Sequence, residues 1–257
     1  MTARSVPIRR GAGYWWASYV AMLRWVLAQQ KALFGMILFI QLVMGVGSVA
    51  MYRFYLGEVD STTATYLVSG LPALAIIPVG FVMVPILVMQ EKFRGTFDFT
   101  WSLPVPRLAP VAATFTVFTA IGLPVAALTT AVAAWQFDAT IRLSWLVVLA
   151  ALLSALTATS AGYGMAMAIP EPRLTNLITN VVIFLVLLFS PIVIPIERFP
   201  EWAQAAHQAV PFYHMANLIR AGLTEGLATD VGASLAVLGA WAVGGWAAVA
   251  WVVGRRR

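Results

Sequence analysis

Glu91, Lys92, Arg94 and Asp98 fall within eight residues of one another, in a segment reading QEKFRGTFDFTWSLPVPR that closes on Arg107. Mixed charge of this density, set among Phe97, Phe99 and Trp101, is the chemistry of a docking surface: ion pairs and apolar contacts made with another molecule. The competing reading is an amphipathic loop resting on lipid. Gly95 permits a break in the backbone and Pro104 and Pro106 stop the next element. Fifteen residues is long for a connector, so a short helix of its own is expected here.

The other residues that could do chemistry are few. His207 and His214 are seven apart, a same-face helical spacing, but Pro211 lies between them and no carboxylate cluster completes a metal site. Neither a G-x-S-x-G elbow nor an H-E-x-x-H helix occurs, and the two lysines, Lys31 and Lys92, are followed by Ala32 and Phe93, so there is no P-loop. Ser48, Thr157, Thr159 and Ser160 are expected to bond backbone carbonyls, and Gly162-Tyr163-Gly164 to let helices approach closely. No catalytic residue and no metal ligand is assigned.

The elements that must carry the charged segment are apolar. The chain has 257 residues, 61% of them hydrophobic, with no cysteine. Long apolar stretches run over Ala32–Tyr52, Tyr66–Gln90, Leu108–Trp135, Leu143–Ile169, Leu174–Ile196 and Val231–Val253, and none contains a formal charge. At about 1.5 Å per residue, roughly 20 residues cross a hydrocarbon core. The expected fold is an all-α integral membrane protein with six transmembrane helices, forming one permease-like domain over 1–257.

Six spans place both termini on one side. That side carries Arg4, Arg9, Arg10, Arg24, Lys31, Lys92, Arg94, Arg107, Arg173, Arg255, Arg256 and Arg257, against Arg53, Arg142, Arg198 and Arg220 on the other. Basic loops stay cytoplasmic, so both termini are expected inside. The net charge of +6 is thereby topological and does not indicate a nucleic-acid partner. The first thirty residues are expected not to form a cleavable secretion signal, because aromatic and basic residues run through them and the span that follows is too long.

Residues 1–31 read as a cytoplasmic, interfacial amphipathic helix. Trp15, Trp16, Tyr19, Val20, Met22, Leu23, Val26 and Leu27 share a broad face opposite Ser18, Ala21, Arg24, Ala28, Gln29 and Lys31. Trp25 falls on the polar side beside Arg24, which points to a contact with a partner; a mere lead-in to the first span is the plainer reading. Pro72, Pro78 and Pro85 mark the second span as kinked and protein-facing. Between spans five and six, Pro191, Pro195, Pro200 and Pro211 break a segment too apolar for a free loop, expected to be short re-entrant helices capping the bundle on the outer side over 197–230.

Transport logic narrows the reading. An ion-coupled carrier places an ionisable group near the midplane, and here the spans offer only neutral Gln41 and Tyr163. With no P-loop either, the chain is a passive pore or a permease driven by a separate ATPase.

The whole pattern resembles the membrane subunit of a type-2 ATP-binding-cassette exporter. Glu91, Arg94, Gly95, Thr96, Asp98, Leu103, Pro104 and Arg107 match that family's segment after the second span, with Asp98 where glutamate is more usual. Ser190, Pro195, Pro200, Trp202, Pro211, Tyr213, Leu218 and Arg220 follow its broken outer element. The resemblance implies a half-transporter: two ATPase subunits, which bind ATP and Mg, a second permease subunit in a homodimer or heterodimer, and a coupling helix over 91–107 seated on the ATPase. No cofactor is implied in this chain.

The resemblance also implies export of a hydrophobic or amphipathic substrate, such as a drug, natural product or lipid, with polysaccharide as the other cargo of such exporters. A passive channel and a membrane-embedded lipid enzyme are the alternatives. Arginine far outnumbers lysine, and alanine and valine abound, as in a bacterium with a GC-rich genome; the expected location is the bacterial cytoplasmic membrane.

Overall fold

The computed structural model describes residues 11–31 and 34–255. The described residues form helices and connecting turns, with no strand among them: α1 (Ala12–Gln30), α2 (Phe34–Leu56), α3 (Ser61–Pro78), α4 (Val84–Phe93), α5 (Thr96–Ser102), α6 (Leu108–Gln136), α7 (Trp145–Ala168), α8 (Pro172–Phe189), α9 (Glu201–Ala209), α10 (Pro211–Leu223) and α11 (Val231–Arg255). A π-helical turn at Val79–Met83 joins α3 to α4 in one continuous rod, and a 3₁₀ turn at Ile196–Arg198 precedes α9. Six helices are long and apolar enough to cross a membrane: α2, the rod Ser61–Phe93, α6, α7, α8 and α11.

The helix ends correct the sequence boundaries. The helical rods run past the apolar stretches and take up charge at their termini, so Arg53, Glu91, Lys92, Arg173 and Arg255 all lie inside helices. The fifth span is shorter than expected, ending at Phe189 instead of Ile196. Pro191 is the reason: it disfavours the α conformation at the residue before it, and Ser190 is extended at φ −84°, ψ 138°. The opposite start is set by Asp60, whose carboxylate accepts from the Thr62 and Thr63 amides and the Thr63 hydroxyl and caps α3.

The rod Ser61–Phe93 is the axis of the bundle, with 83% of its most apolar window buried, against 22% for α2, α8 and α11. It is thus protein-facing, as its prolines imply. Its tightest crossing is with α7. A Cβ on Gly80 would overlap Ala158 and the Thr159 nitrogen, and one on Gly162 would overlap the Gly80 carbonyl, so the two backbones touch. Gly164 has open space around it and takes no part in the crossing.

One end of the bundle carries Arg94, Arg107, Arg173 and Arg255, and is called the basic end; the other carries Asp60, Asp138, Glu197, Glu225 and Asp230, and is called the acidic end. From the acidic end, α9 and α10 fold back as a hairpin into the bundle. The Trp241 indole donates to the Ala209 carbonyl at 3.0 Å, ten residues and about 15 Å along α11. Phe212 meets Phe81 with ring centroids 4.8 Å apart. Most of α10 is buried among α3, α7 and α11. It is an interior helix, where the sequence led us to expect an outer cap.

At the basic end, α1 lies along α6 and buries Ser18, Met22, Val26 and Gln30 at a four-residue spacing. This divides the face expected from the sequence. Met22 and Val26 turn to the protein, while Trp16 and Leu27 remain exposed. Ser18, assigned to the polar side, is buried because α6 comes close enough for Tyr19 to share a hydrogen bond with Thr116 at 2.8 Å.

Candidate partner-docking site

The rod ends at Phe93, and the chain turns through Arg94 and Gly95 into α5. Gly95 adopts φ +75°, in the left-handed region that favours glycine, and a Cβ added there would meet no atom within 4 Å. This residue is therefore demanded by backbone conformation and not by space. Phe97 then anchors α5, buried against Trp101 at 5.4 Å between ring centroids. What remains outward is a ridge of Phe93 (83% exposed), Arg94, Asp98 and Phe99 (51% exposed), two aromatic rings interleaved with one charge of each sign.

Several residues assigned to docking by sequence are held inside the chain. Lys92 donates to the Ala166 carbonyl near the end of α7 and lies 5.8 Å from the Phe97 ring. Arg107 donates to the Val253 and Gly254 carbonyls at 3.0 and 2.8 Å. Both cations satisfy carbonyls left over at helix C-termini, where the helix dipole also favours positive charge. Thr96 accepts the Thr100 hydroxyl at its carbonyl, 2.8 Å away.

Glu91 is half-buried and tied to α1. In the amide orientation that satisfies both neighbours, Gln29 donates to Glu91 Oε1 at 2.9 Å and accepts from Trp25 Nε1 at 3.0 Å. Trp25 in turn packs on Phe99 with centroids 5.9 Å apart. The aromatic ring that seemed misplaced on the polar side of α1 thus braces α5, while Arg24 stays on the exposed side. Gln29 was missed in the sequence; its position near the end of α1 gave no sign that it would bridge an indole and a carboxylate.

At the acidic end, Pro195, Pro200 and Trp202 lie at or near the surface, Trp202 being 76% exposed. Pro211, Tyr213 and Arg220 are buried within α10. Arg220 is 1% exposed, and its Nη2 donates to the Ile192 carbonyl at 2.7 Å. The bundle interior thus holds a cation from outside the spans: assigning Arg220 to an outer cap hid the fact that its helix is buried among them. The two histidines are not brought together on a shared ligand. His214 pairs with the Ser234 hydroxyl and the Gln208 carbonyl, and His207 packs beside Phe199.

Among the described residues, six membrane-length helices, five of them packed about the sixth as a buried axial rod, define a multi-pass helical membrane protein. The family model described as ABC-2 type transporter matches residues 13–224, and the chain belongs to that family. The match takes in α1 from its second residue, the exposed ridge and the α9–α10 hairpin, and of the six spans it leaves out the last. No curated protein matches the chain. Membership makes it the transmembrane permease component of a transporter, a domain that is not itself catalytic and that in this family normally pairs with an ABC ATPase.

Proposed function

We propose that this chain is the permease subunit of an ATP-driven exporter, moving a hydrophobic or amphipathic substrate outward across a bacterial cytoplasmic membrane. Two ATPase subunits and a second permease complete the assembly, with ATP and Mg held by the ATPases. The basic end is the cytoplasmic end, by the bias of Lys and Arg. The observation that carries the reading is the exposed ridge Phe93-Arg94-Asp98-Phe99 at the foot of the buried rod. Force applied at Phe93 acts directly on the bundle axis, since it is the last residue of that rod, and force on α5 reaches it through the two-residue turn Arg94-Gly95.

The ridge is a charged and aromatic surface that fits a cleft on a protein partner. Within it, Arg94, Asp98, Phe93 and Phe99 make the contact. Glu91, Lys92, Thr96 and Arg107 position it from behind, and Gly95 sets its angle. Arg24 and Trp25 flank it from α1. The test is co-expression with a partner ABC ATPase, comparing wild type with Asp98→Arg and Phe99→Ala. Both variants should insert normally yet lose ATPase co-purification and transport by tenfold or more. Unimpaired assembly and transport in both would remove the ridge from the coupling pathway, and transport by the chain without any ATPase would favour a passive channel.

A further inference from the structure

A groove of about 690 Å³ opens at the basic end between α4 and α8. Its rim is polar, with Arg94, Arg173 and Asn176, and its walls are apolar, with Ile86, Met89 and Phe93. The lining turns from polar to apolar toward the bundle. On the α4 side it runs from Arg94, just past the helix end, through Phe93 and Gln90 to Met89 and Ile86; on α8 the lining residues Arg173, Thr175 and Asn176 are polar, and Leu177 and Val181 follow beyond the groove. Both helices belong to membrane-length spans, so the change falls where headgroups give way to acyl chains.

We infer that this groove binds one anionic phospholipid, its phosphodiester held between Arg94 and Arg173 and an acyl chain laid along α8. Two guanidinium forks suit the oxygens of a phosphodiester. Glu171 also lines the rim, so the formal charge there is one positive, which a single phosphodiester balances. The same carboxylate accepts from a hydroxyl-bearing headgroup, which a bare phosphate does not supply. The acyl path is visible beyond the groove: Leu177, Val181, Phe184 and Leu188 are exposed at helical spacing along α8. The groove shares Phe93 and Arg94 with the ridge, but the inference does not depend on the exporter reading, because it requires only that these helices span a membrane.

The experiment uses the full chain in nanodiscs of phosphatidylcholine with one-fifth phosphatidylglycerol, followed by native mass spectrometry of the retained lipid. Wild type should retain phosphatidylglycerol over phosphatidylcholine by about tenfold. Arg173→Glu should abolish the preference, Arg173→Gln should weaken it with less risk to folding, and Arg173→Lys should keep most of it. Arg255→Glu, at the same end but outside the groove, should leave it intact. Equal retention of the two lipids overturns the proposal, as does equal loss in Arg255→Glu, which would show general attraction to the basic end. Displacement by soluble glycerol phosphate would assign the site to a free anion, and a dimer carrying no phospholipid would give the face to a second copy; either result overturns it too.

Discussion

The guanidinium carbon of Arg220 lies 3.6 Å from the ring centroid of Tyr66, so a buried cation on α10 rests flat on an aromatic face of α3. Together with the bond to Ile192, this joins the axial rod, the hairpin and the segment after the fifth span through one side chain. Gly70 makes room for it, since a Cβ there would press on both the Ile192 carbonyl and Arg220 Nη2. Arg220→Ala should cost on the order of 3 kcal/mol, through the cavity and the orphaned carbonyl. Tyr66→Leu should cost less, about 1–2 kcal/mol, because the hydrogen bond survives. Thermal unfolding of the detergent-solubilised protein measures both, and a double variant that costs less than the sum of the two would show the coupling directly.

Gly95→Ala should uncouple the ridge while leaving the bundle intact. The substitution meets no neighbour, so its cost is the left-handed backbone alone, about 1–2 kcal/mol. That is enough to redirect a seven-residue helix. ATPase co-purification should fall several-fold with unchanged membrane yield, whereas Gly164→Ala, with an ordinary backbone and open surroundings, should change neither.

The crossing of α7 with the rod should tolerate no side chain. Gly80→Val and Gly162→Val each force two backbones apart, and overpacking of this kind costs roughly 1–3 kcal/mol or more. Size-exclusion profiles of the solubilised protein should show aggregation in both variants and a normal peak for Gly164→Val.

Six spans, their order and the protein-facing second helix were legible in the sequence because apolar length and proline are local signals. The segment after the second span was legible as a dense charge cluster, but the direction of each side chain was not. Lys92 and Arg107 read like Arg94, yet they turn inward because carbonyls of α7 and α11 happen to end beside them, a fact set by tertiary packing. Arg220 was misplaced for a related reason. Four prolines mark a broken, re-entrant segment without revealing that its second half is packed among the spans, where a guanidinium finds a carbonyl and an aromatic ring. The Trp25–Gln29–Glu91 chain is likewise a product of how α1 crosses α6.

At the acidic end, the Thr63 hydroxyl and the Thr62 and Thr63 amides hold the Asp60 carboxyl below the usual carboxylate range. A carboxyl depressed on folding stabilises the fold above its unfolded pKa, near 4, and that contribution is lost as pH falls through the lower folded value. Amide hydrogen exchange at Thr62 and Thr63 should therefore quicken, relative to mid-helix amides, as the medium is acidified below about pH 4. Asp60→Ala should show the faster exchange at neutral pH and no further response to acid.

The π-helical turn at Val79–Met83 inserts one residue into the α repeat of the rod. Each added residue advances the helical phase by about 100°, so the turn sets the azimuth of α4 relative to α3. Were the five residues to relax to α-helical pitch, the foot of the rod would rotate by about that angle under a fixed upper half. The ridge would swing about the axis of the bundle, and the span would lengthen by the rise of one residue, about 1.5 Å. The turn, with Gly80 packed against α7, therefore fixes the direction in which the ridge faces, and a single-residue deletion within Val79–Met83 should restore α-helical pitch while keeping the ridge in its present phase.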